Sequence, residues 1–250
     1  MIWLDITILG PAFVAGLLVL ATHVPLGQEV LKRGIIFIDL AIAQMAGLGV
    51  ILASRLGFET HGWEVQLIAV GSALLVAWGF SLLEKHHSQI QEALIGITFI
   101  LAATGSILLL ANNPHGGEQL KELLVGQILW ITWIQLIPLA VITGLILIIW
   151  FGLKLNRHMG FYLLFALAVT SSVQLVGVYL VFASLIIPAL GSRGYNKSLG
   201  IAYIIGIFGY GLGLILSSLL DLPSGAVIVW MLGSIALLVG FLGRANKSNL

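Results

Sequence analysis

The chain has 250 residues, of which 60% are hydrophobic and 8% are charged, and its formal net charge is +1. Soluble domains carry roughly 25% charged residues, so this composition excludes an ordinary soluble protein and indicates a polytopic membrane protein. The low net charge and the lack of a basic run exclude a nucleic-acid partner. The absence of cysteine excludes disulfides and thiolate metal sites, so a bound cation would need nitrogen or oxygen ligands.

The apolar stretches predict an all-α protein with eight to nine transmembrane helices. A span needs about 20 apolar residues, and such stretches cover 6–26, 35–56, 65–83, 93–111, 134–153, 160–176, 175–191, 199–219 and 225–243. The count depends on 160–191, which predicts either two short spans that meet at Gly177 or one span followed by a broken or re-entrant piece. No linker or repeat is visible, so 1–250 is predicted to be a single transmembrane domain.

The basic residues predict the orientation of the spans, because Lys and Arg concentrate on the cytoplasmic side of a membrane protein. With nine spans and an outer N-terminus, only Arg55 and Lys121 fall outside. The cytoplasmic set is Lys32, Arg33, Lys85, Lys154, Arg157, Arg193, Lys197, Arg244 and Lys247. This distribution also predicts a cytoplasmic C-terminus.

Two features are predicted on the outer side between the fourth and fifth of these spans. The segment "QLKELLVGQILWIT", at about 119–132, has apolar residues at helical spacing and predicts a short interfacial or re-entrant helix. Immediately before it, His115 and Glu118 in "NNPHGGE" could form an entrance site for a cation. Alternatively, they belong to a turn and to the first turn of the short helix.

A carboxylate inside an apolar run is the most unusual feature of the sequence. Asp39 lies five residues into the second predicted span, where a charge costs a few kcal/mol unless it is paired, hydrated or neutral. If the first two spans form an antiparallel hairpin, His23 lies at a similar depth and could face Asp39. Such a pair could bind a divalent cation, relay a proton, or simply satisfy two buried polar groups.

Two other polar residues are predicted to have structural roles. Gln44 follows Asp39 by five positions, which is about 140° around a helix, so the two cannot share one set of ligands. Gln44 is therefore predicted to be an interhelical hydrogen-bond donor. Glu92 opens the fourth span, where a carboxylate is favoured by the helix dipole.

Three stretches together resemble the permease subunits of zinc and manganese ABC importers. They are "RGIIFIDLAIAQMAGLGV" (33–50), "VGVYLVFASLIIPALGSR" (176–193) and "SSLLDLPSGAVIVW" (217–230). Their order and spacing fit that family across nearly the whole chain. The resemblance implies the fold of a type II ABC-importer permease in a bacterial-type cytoplasmic membrane.

The resemblance also implies a mechanism and partners. Two copies of the permease would form a homodimer around a central path and work by alternating access. ATP would be hydrolysed by a separate ATPase subunit, and this chain itself contains no P-loop. An extracytoplasmic metal-binding protein would deliver the cation. The cytoplasmic segment at about 185–198 would contact the ATPase, with Pro188, Ala189, Gly191 and Arg193 as its coupling residues.

In the resembling family, Asp39 matches the aspartate of a D-x-x-x-H motif whose side chains line the metal path. Here Ala43 occupies the position of the histidine. "PALGSR" and the short "KLNRHMG" loop also depart from the family pattern. The transported substrate is expected to be zinc or manganese, with no permanently bound cofactor.

Two other functions stay open from the sequence. The missing histidine favours, as an alternative, an ABC permease for a metal chelate or another small solute. A different class is an ion carrier or channel that works without an ATPase and uses Asp39 and His23 as a relay. An enzyme is not predicted, because no H-E-x-x-H or G-x-S-x-G motif occurs.

Overall fold

A computed structural model describes residues 6–58, 62–152 and 157–247, without the side chains of 85–88, 157–158 and 243–247. The described part is all helical. Two single turns of 3₁₀ helix, Ser88–Ile90 and Ile128–Trp130, join longer elements. The α-helices are α1 (Ile6–Arg33), α2 (Ile38–Arg55), α3 (Trp63–His87), α4 (Gln91–Leu110), α5 (Gly116–Val125), α6 (Trp133–Gly152), α7 (Arg157–Val176), α8 (Val178–Gly191), α9 (Ser198–Leu220) and α10 (Ser224–Lys247).

Eight of the described helices are long and apolar enough to cross a membrane, which confirms the predicted fold class. They are all the helices except α5 and α8. Because α8 has only 14 residues, it is about 21 Å long, shorter than the roughly 30 Å hydrocarbon core. The region 160–191 therefore consists of a full-length apolar helix, α7, and a shorter apolar helix, α8, which are separated at Gly177.

The break between α7 and α8 is fixed by two glycines that touch. Gly177 has φ 82° and ψ 158°, and Gly126, directly after α5, has φ 70° and ψ 177°. Only glycine adopts this region of backbone conformation readily. A Cβ on Gly177 would strike the backbone of Gly126, and a Cβ on Gly126 would strike that of Val176 and Gly177. The end of α5 therefore meets the α7–α8 junction backbone to backbone.

The outer helix differs in its bounds from the segment predicted at 119–132. Helix α5 begins at Gly116 and ends at Val125, and a 3₁₀ turn follows at Ile128–Trp130. The helix stops early because Gly126 leaves the helical conformation. This backbone change depends on the contact with Gly177, which a local apolar pattern does not reveal.

The first two spans do not form a packed hairpin. Helix α1 packs mainly against α8, α9 and α6, whereas α2 packs mainly against α3 and α4. Small residues explain this choice, since they let neighbouring helices approach closely. On α1, Gly16 lies against the ring of Tyr210 of α9, and on α2, Gly49 lies against Ala69 and Ser72 of α3.

A charged cluster joins the helices at the end of the bundle that carries Lys32, Arg33, Arg193 and Lys197, which we call the basic end. Arg33 lies 3.0 Å from carboxylate oxygens of both Glu29 and Glu84. Its guanidinium also stacks on Phe161 of α7, 4.4 Å from the ring centroid. Nearby, Gln28 donates to Ser198 Oγ over 3.2 Å, which ties α1 to the start of α9.

The Arg33–Glu84 pair gives a stability prediction. Both side chains are largely buried, with exposed fractions of 13% and 18%. Glu84→Gln leaves the guanidinium without that carboxylate, so we expect a loss of roughly 1–3 kcal/mol of folding free energy. The measurement is the thermal unfolding midpoint of purified protein in detergent. Glu118→Gln, at a carboxylate with 79% exposure, is the control, and an equal midpoint for both variants would contradict the prediction.

Candidate functional site

Asp39 is a fully buried carboxylate that has no hydrogen-bond partner in the part of the chain that the structure describes. It is the second residue of α2 and is 0% exposed. Among the described residues, neither carboxylate oxygen has a partner. Its place in the first turn of α2 gives it some stabilisation from the helix dipole. A buried charged or polar group without partners costs several kcal/mol, so its retention marks a position where a ligand or a proton would compensate.

His23 is also fully buried, and one of its ring nitrogens is free. Nδ1 lies 2.9 Å from the carbonyl oxygen of Val19, one turn earlier on α1, and therefore donates its proton there. Thr22 Oγ1 lies 3.0 Å from the same nitrogen. Nε2 has no partner among the described residues. A backbone carbonyl that fixes one nitrogen while the other presents a lone pair is the usual arrangement of a metal-ligating histidine.

The structure does not bring His23 and Asp39 together in a hydrogen bond. The expected pairing assumed that α1 and α2 pack as a hairpin, but the two helices pack mainly with different neighbours. Each side chain therefore presents its free atoms separately. Within the described residues, no group of three or more His, Asp or Glu side chains could hold a metal ion.

The residues that follow Asp39 on α2 do not complete a ligand set. Ala43, one turn later, is 1% exposed and supplies only a methyl group. Gln44 is 7% exposed, and no hydrogen bond to a described residue was found for it, so its predicted role as an interhelical donor is not seen. Glu92 Oε1 accepts a hydrogen bond from the Phe37 amide over 3.3 Å, just ahead of α2.

His115 and Glu118 form an exposed pair at the start of α5. Their Nδ1 and Oε2 atoms are 3.2 Å apart, and the side chains are 76% and 79% exposed. The His115 amide also donates to Asn113 Oδ1 over 3.0 Å. His115 thus lies in the turn before α5, and Glu118 lies in the first turn of α5, which is the arrangement predicted from the sequence as the alternative to an entrance site. Exposed ion pairs of this kind contribute little to stability.

The predicted coupling segment, 185–198, consists of the end of α8, a turn and the first residue of α9. Pro188, Ala189 and Gly191 are buried, and a Cβ on Gly191 would lie 2.7 Å from that of Ala236 on α10. Arg193 is exposed in the turn. Tyr195 fixes the turn by donating to the carbonyl of Val239 over 2.6 Å. Arg193 is therefore accessible at the surface, whereas the other three predicted coupling residues lie inside the bundle.

Four of the basic residues predicted on one side lie together at one end of the bundle. Lys32, Arg33, Arg193 and Lys197 lie at the basic end. Lys154 lies outside the described residues, and the side chains of Lys85, Arg157, Arg244 and Lys247 are not described. The orientation of the bundle in a membrane stays a prediction.

A polar cavity at the opposite end of the bundle was not predicted from the sequence. Its volume is about 510 Å³. Five of the nine glutamines in the chain contribute to its wall, together with Glu122 and Ser54. These glutamines are Gln66, Gln119, Gln127, Gln135 and Gln174. Because they come from distant parts of the chain, no local motif joins them, and only the packing of the helices brings them together.

Comparison with known proteins agrees with this architecture. A "Probable metal transport system membrane protein" of Thermotoga maritima is 28% identical over 250 residues, which cover 90% of this chain and 86% of the relative. A "Probable iron transport system membrane protein" of Haemophilus influenzae is 27% identical, over 76% of each chain. The solved structure of PsaBC from Streptococcus pneumoniae in complex with Fab matches with a TM-score of 0.70 at 23% identity, over 93% of this chain and 89% of that one.

The family assignment rests on a match along nearly the whole chain. The model of the ABC 3 transport family matches residues 5–157 and 151–243, which include the apolar spans of all eight described helices that are long enough to cross a membrane. This result agrees with the resemblance carried by the three stretches at 33–50, 176–193 and 217–230. The chain belongs to the ABC 3 transport family.

Proposed function

We propose that this protein is the membrane permease of an ATP-driven importer that moves a divalent metal cation inward by alternating access. Zinc or manganese is the proposed cargo. The chain itself would carry out no chemical reaction, and a separate ATPase would hydrolyse ATP. Membership of the ABC 3 transport family supports transport, and relatives named as metal and iron transport system membrane proteins support a metal cargo.

The observation that supports this proposal most directly is the environment of Asp39. A carboxylate that is 0% exposed and lacks partners among the described residues needs a compensating charge. A passing cation would supply one, because path-lining groups replace the hydration shell of an ion inside a membrane protein. In this proposal Asp39 lines a cation path within each protomer, because its side chain is already buried in the single chain. Two copies of the permease would form a homodimer.

His23 would be a second lining group, acting through its free Nε2 atom. A carboxylate oxygen and an imidazole nitrogen both suit borderline divalent metals. His115 and Glu118 would act earlier, as an exposed pair that attracts cations to the entrance. This last role needs an exposed carboxylate beside an imidazole, which the pair provides.

We place the basic end on the cytoplasmic side of a bacterial-type cytoplasmic membrane, as the distribution of Lys and Arg favours. The ATPase would then bind at the turn that carries Arg193, and Pro188, Ala189 and Gly191 would transmit its movement to α9 and α10. An extracytoplasmic metal-binding protein would deliver the cation to the opposite end.

Ala43 favours one alternative cargo, a metal chelate. Without an imidazole one turn after Asp39, the described residues offer no cluster of three ligands that would replace the whole hydration shell of a cation. A chelated metal would need fewer protein ligands. Uptake measured with zinc, manganese and ferrous iron, each as the free ion and as the citrate complex, separates these cargoes.

The requirement for an ATPase tests the transport mechanism. We expect proteoliposomes that contain the permease and its ATPase, supplied with the metal-binding protein and ATP, to accumulate metal, and vesicles with the permease alone to accumulate none. The readout is metal content measured by mass spectrometry. A matched preparation carries an ATPase that binds but does not hydrolyse ATP. Accumulation by the permease alone would instead identify an ATPase-independent carrier or channel.

A further inference from the structure

The polar cavity at the end opposite the basic end is built from five helices. Helix α2 contributes Ser54, α3 contributes Gln66, α5 contributes Glu122, α6 contributes Gln135 and α7 contributes Gln174. We call this space the glutamine cavity. Most of its polar groups are neutral amides, and Glu122 is the one acidic residue in its described lining.

The amides of the glutamine cavity are partly paired with one another. Gln66 Nε2 donates to Gln174 Oε1 over 2.6 Å, and Gln127 Nε2 donates to Glu122 Oε1 over 2.8 Å. Gln174 Nε2 is buried and has no partner among the described residues. If the side-chain oxygen and nitrogen positions of both Gln66 and Gln174 are exchanged, one side-chain atom of Gln174 still has no partner among the described residues. Because Gln174 Nε2 is buried, a ligand in the cavity would instead contact the exposed amides of Gln66, Gln127 and Gln135.

The lining suits a cation that keeps its own oxygen ligands. Amide groups both donate and accept hydrogen bonds, so they can bind the coordinated waters or carboxylates around an ion. A bare divalent cation is a poorer fit, because no described cluster supplies three charged or imidazole ligands. Six waters at about 30 Å³ each occupy roughly 180 Å³, and the cavity has a volume of about 510 Å³. A cation with a complete first shell therefore fits.

The glutamine cavity lies over the face of α2 that carries Asp39. Val50 lines the cavity, and its position is eleven residues after Asp39, which on a helix is about 20° around the axis and about 16 Å along it. Between them on this face stand Ala43 and Ala46, whose side chains are small and buried. This face is packed against neighbouring helices, so a cargo in the cavity would reach Asp39 only when those helices move apart during alternating access.

We infer that the glutamine cavity is an access site that holds a divalent cation within an intact shell of oxygen ligands before it reaches Asp39. The shell can consist of water or of a small carboxylate chelator, since both present the same chemistry to amides. The inference rests on the proposed transport function. It adds a binding step in which recognition is by hydrogen bonds to the shell and not by metal–protein bonds.

The test compares glutamine variants in the complete transporter. Gln66→Leu and the double variant Gln66→Leu/Gln174→Leu remove the amides and keep similar volumes. Gln44→Leu is the matched control, because Gln44 is a buried glutamine of α2 outside the cavity. Initial uptake rates are measured against the concentration of manganese, supplied either as the free hydrated ion or as the citrate complex.

We expect the double variant to raise KM roughly tenfold, equivalent to about 1.4 kcal/mol of binding free energy, while the maximal rate stays at the wild-type value. Gln66→Leu gives a smaller rise, and Gln44→Leu leaves KM unchanged. A rise only for the free ion identifies a water shell, and a rise only for the complex identifies a chelate shell. An unchanged KM for both forms overturns the inference, as does a fall in maximal rate without a change in KM.

Two controls separate this outcome from other failures. Co-purification with the ATPase shows that a variant is assembled, and the exposed position of Gln66 makes its single variant the decisive one if the double variant does not assemble. If the wild-type transporter moves no divalent metal in either form, the proposed function itself fails. If the wild type transports and the cavity variants match it, only the access site fails.

Discussion

We expect Asp39→Asn to abolish metal uptake, while the permease still assembles with its ATPase. At an effective dielectric constant of about 20, two unit charges 4 Å apart gain roughly 4 kcal/mol, so losing the carboxylate weakens binding of a cation in the path by about a thousandfold. The measurement is metal accumulation in cells or proteoliposomes, together with co-purification and ATPase activity. Asp39→Ala is expected to give the same loss of uptake.

Stability distinguishes this role of Asp39 from a structural one. The carboxylate has no partner among the described residues, so the neutral amide of Asp39→Asn removes no hydrogen bond of the resting structure. The thermal unfolding midpoint should therefore stay the same or rise. Asp221→Asn is a matched control, because Asp221 is exposed and its φ of 53° suits asparagine. Wild-type uptake by Asp39→Asn would refute the assignment.

We also expect Gly177→Ala to prevent the protein from folding normally. Alanine disfavours the backbone conformation of φ 82° and ψ 158°, a cost of roughly 1–3 kcal/mol. The added Cβ also meets the backbone of Gly126, which cannot move without shifting the end of α5. Together these effects should remove most of the net stability of the bundle. The measurements are the yield of monodisperse protein in detergent and its unfolding midpoint.

Gly144→Ala provides the control for this glycine prediction. Gly144 lies within α6, and a Cβ there would have no other atom within 4 Å. Since alanine favours a helix over glycine by about 1 kcal/mol, this variant should be at least as stable as wild type. If Gly177→Ala were equally stable, the backbone contact between the α5 end and the α7–α8 junction would not be needed for folding.

The sequence alone determined the features that depend on local chemistry. A segment crosses a membrane because its own side chains are apolar and its backbone groups are paired within one helix, so the eight long apolar helices were all among the stretches predicted from composition. Asp39 was identified for the same reason, since a carboxylate in an apolar run is costly wherever the helix packs. The three stretches at 33–50, 176–193 and 217–230 were enough to indicate the family.

Only the tertiary structure decided which of these elements touch. The length of α8 and the end of α5 depend on the contact between Gly177 and Gly126, which are 51 positions apart in the sequence. His23 and Asp39 form no hydrogen bond with each other, and α1 and α2 pack mainly against different neighbouring helices. The glutamine cavity draws on distant parts of the chain in the same way. Each of these features is a property of helix packing, and packing depends on the shapes of surfaces that are far apart in the sequence.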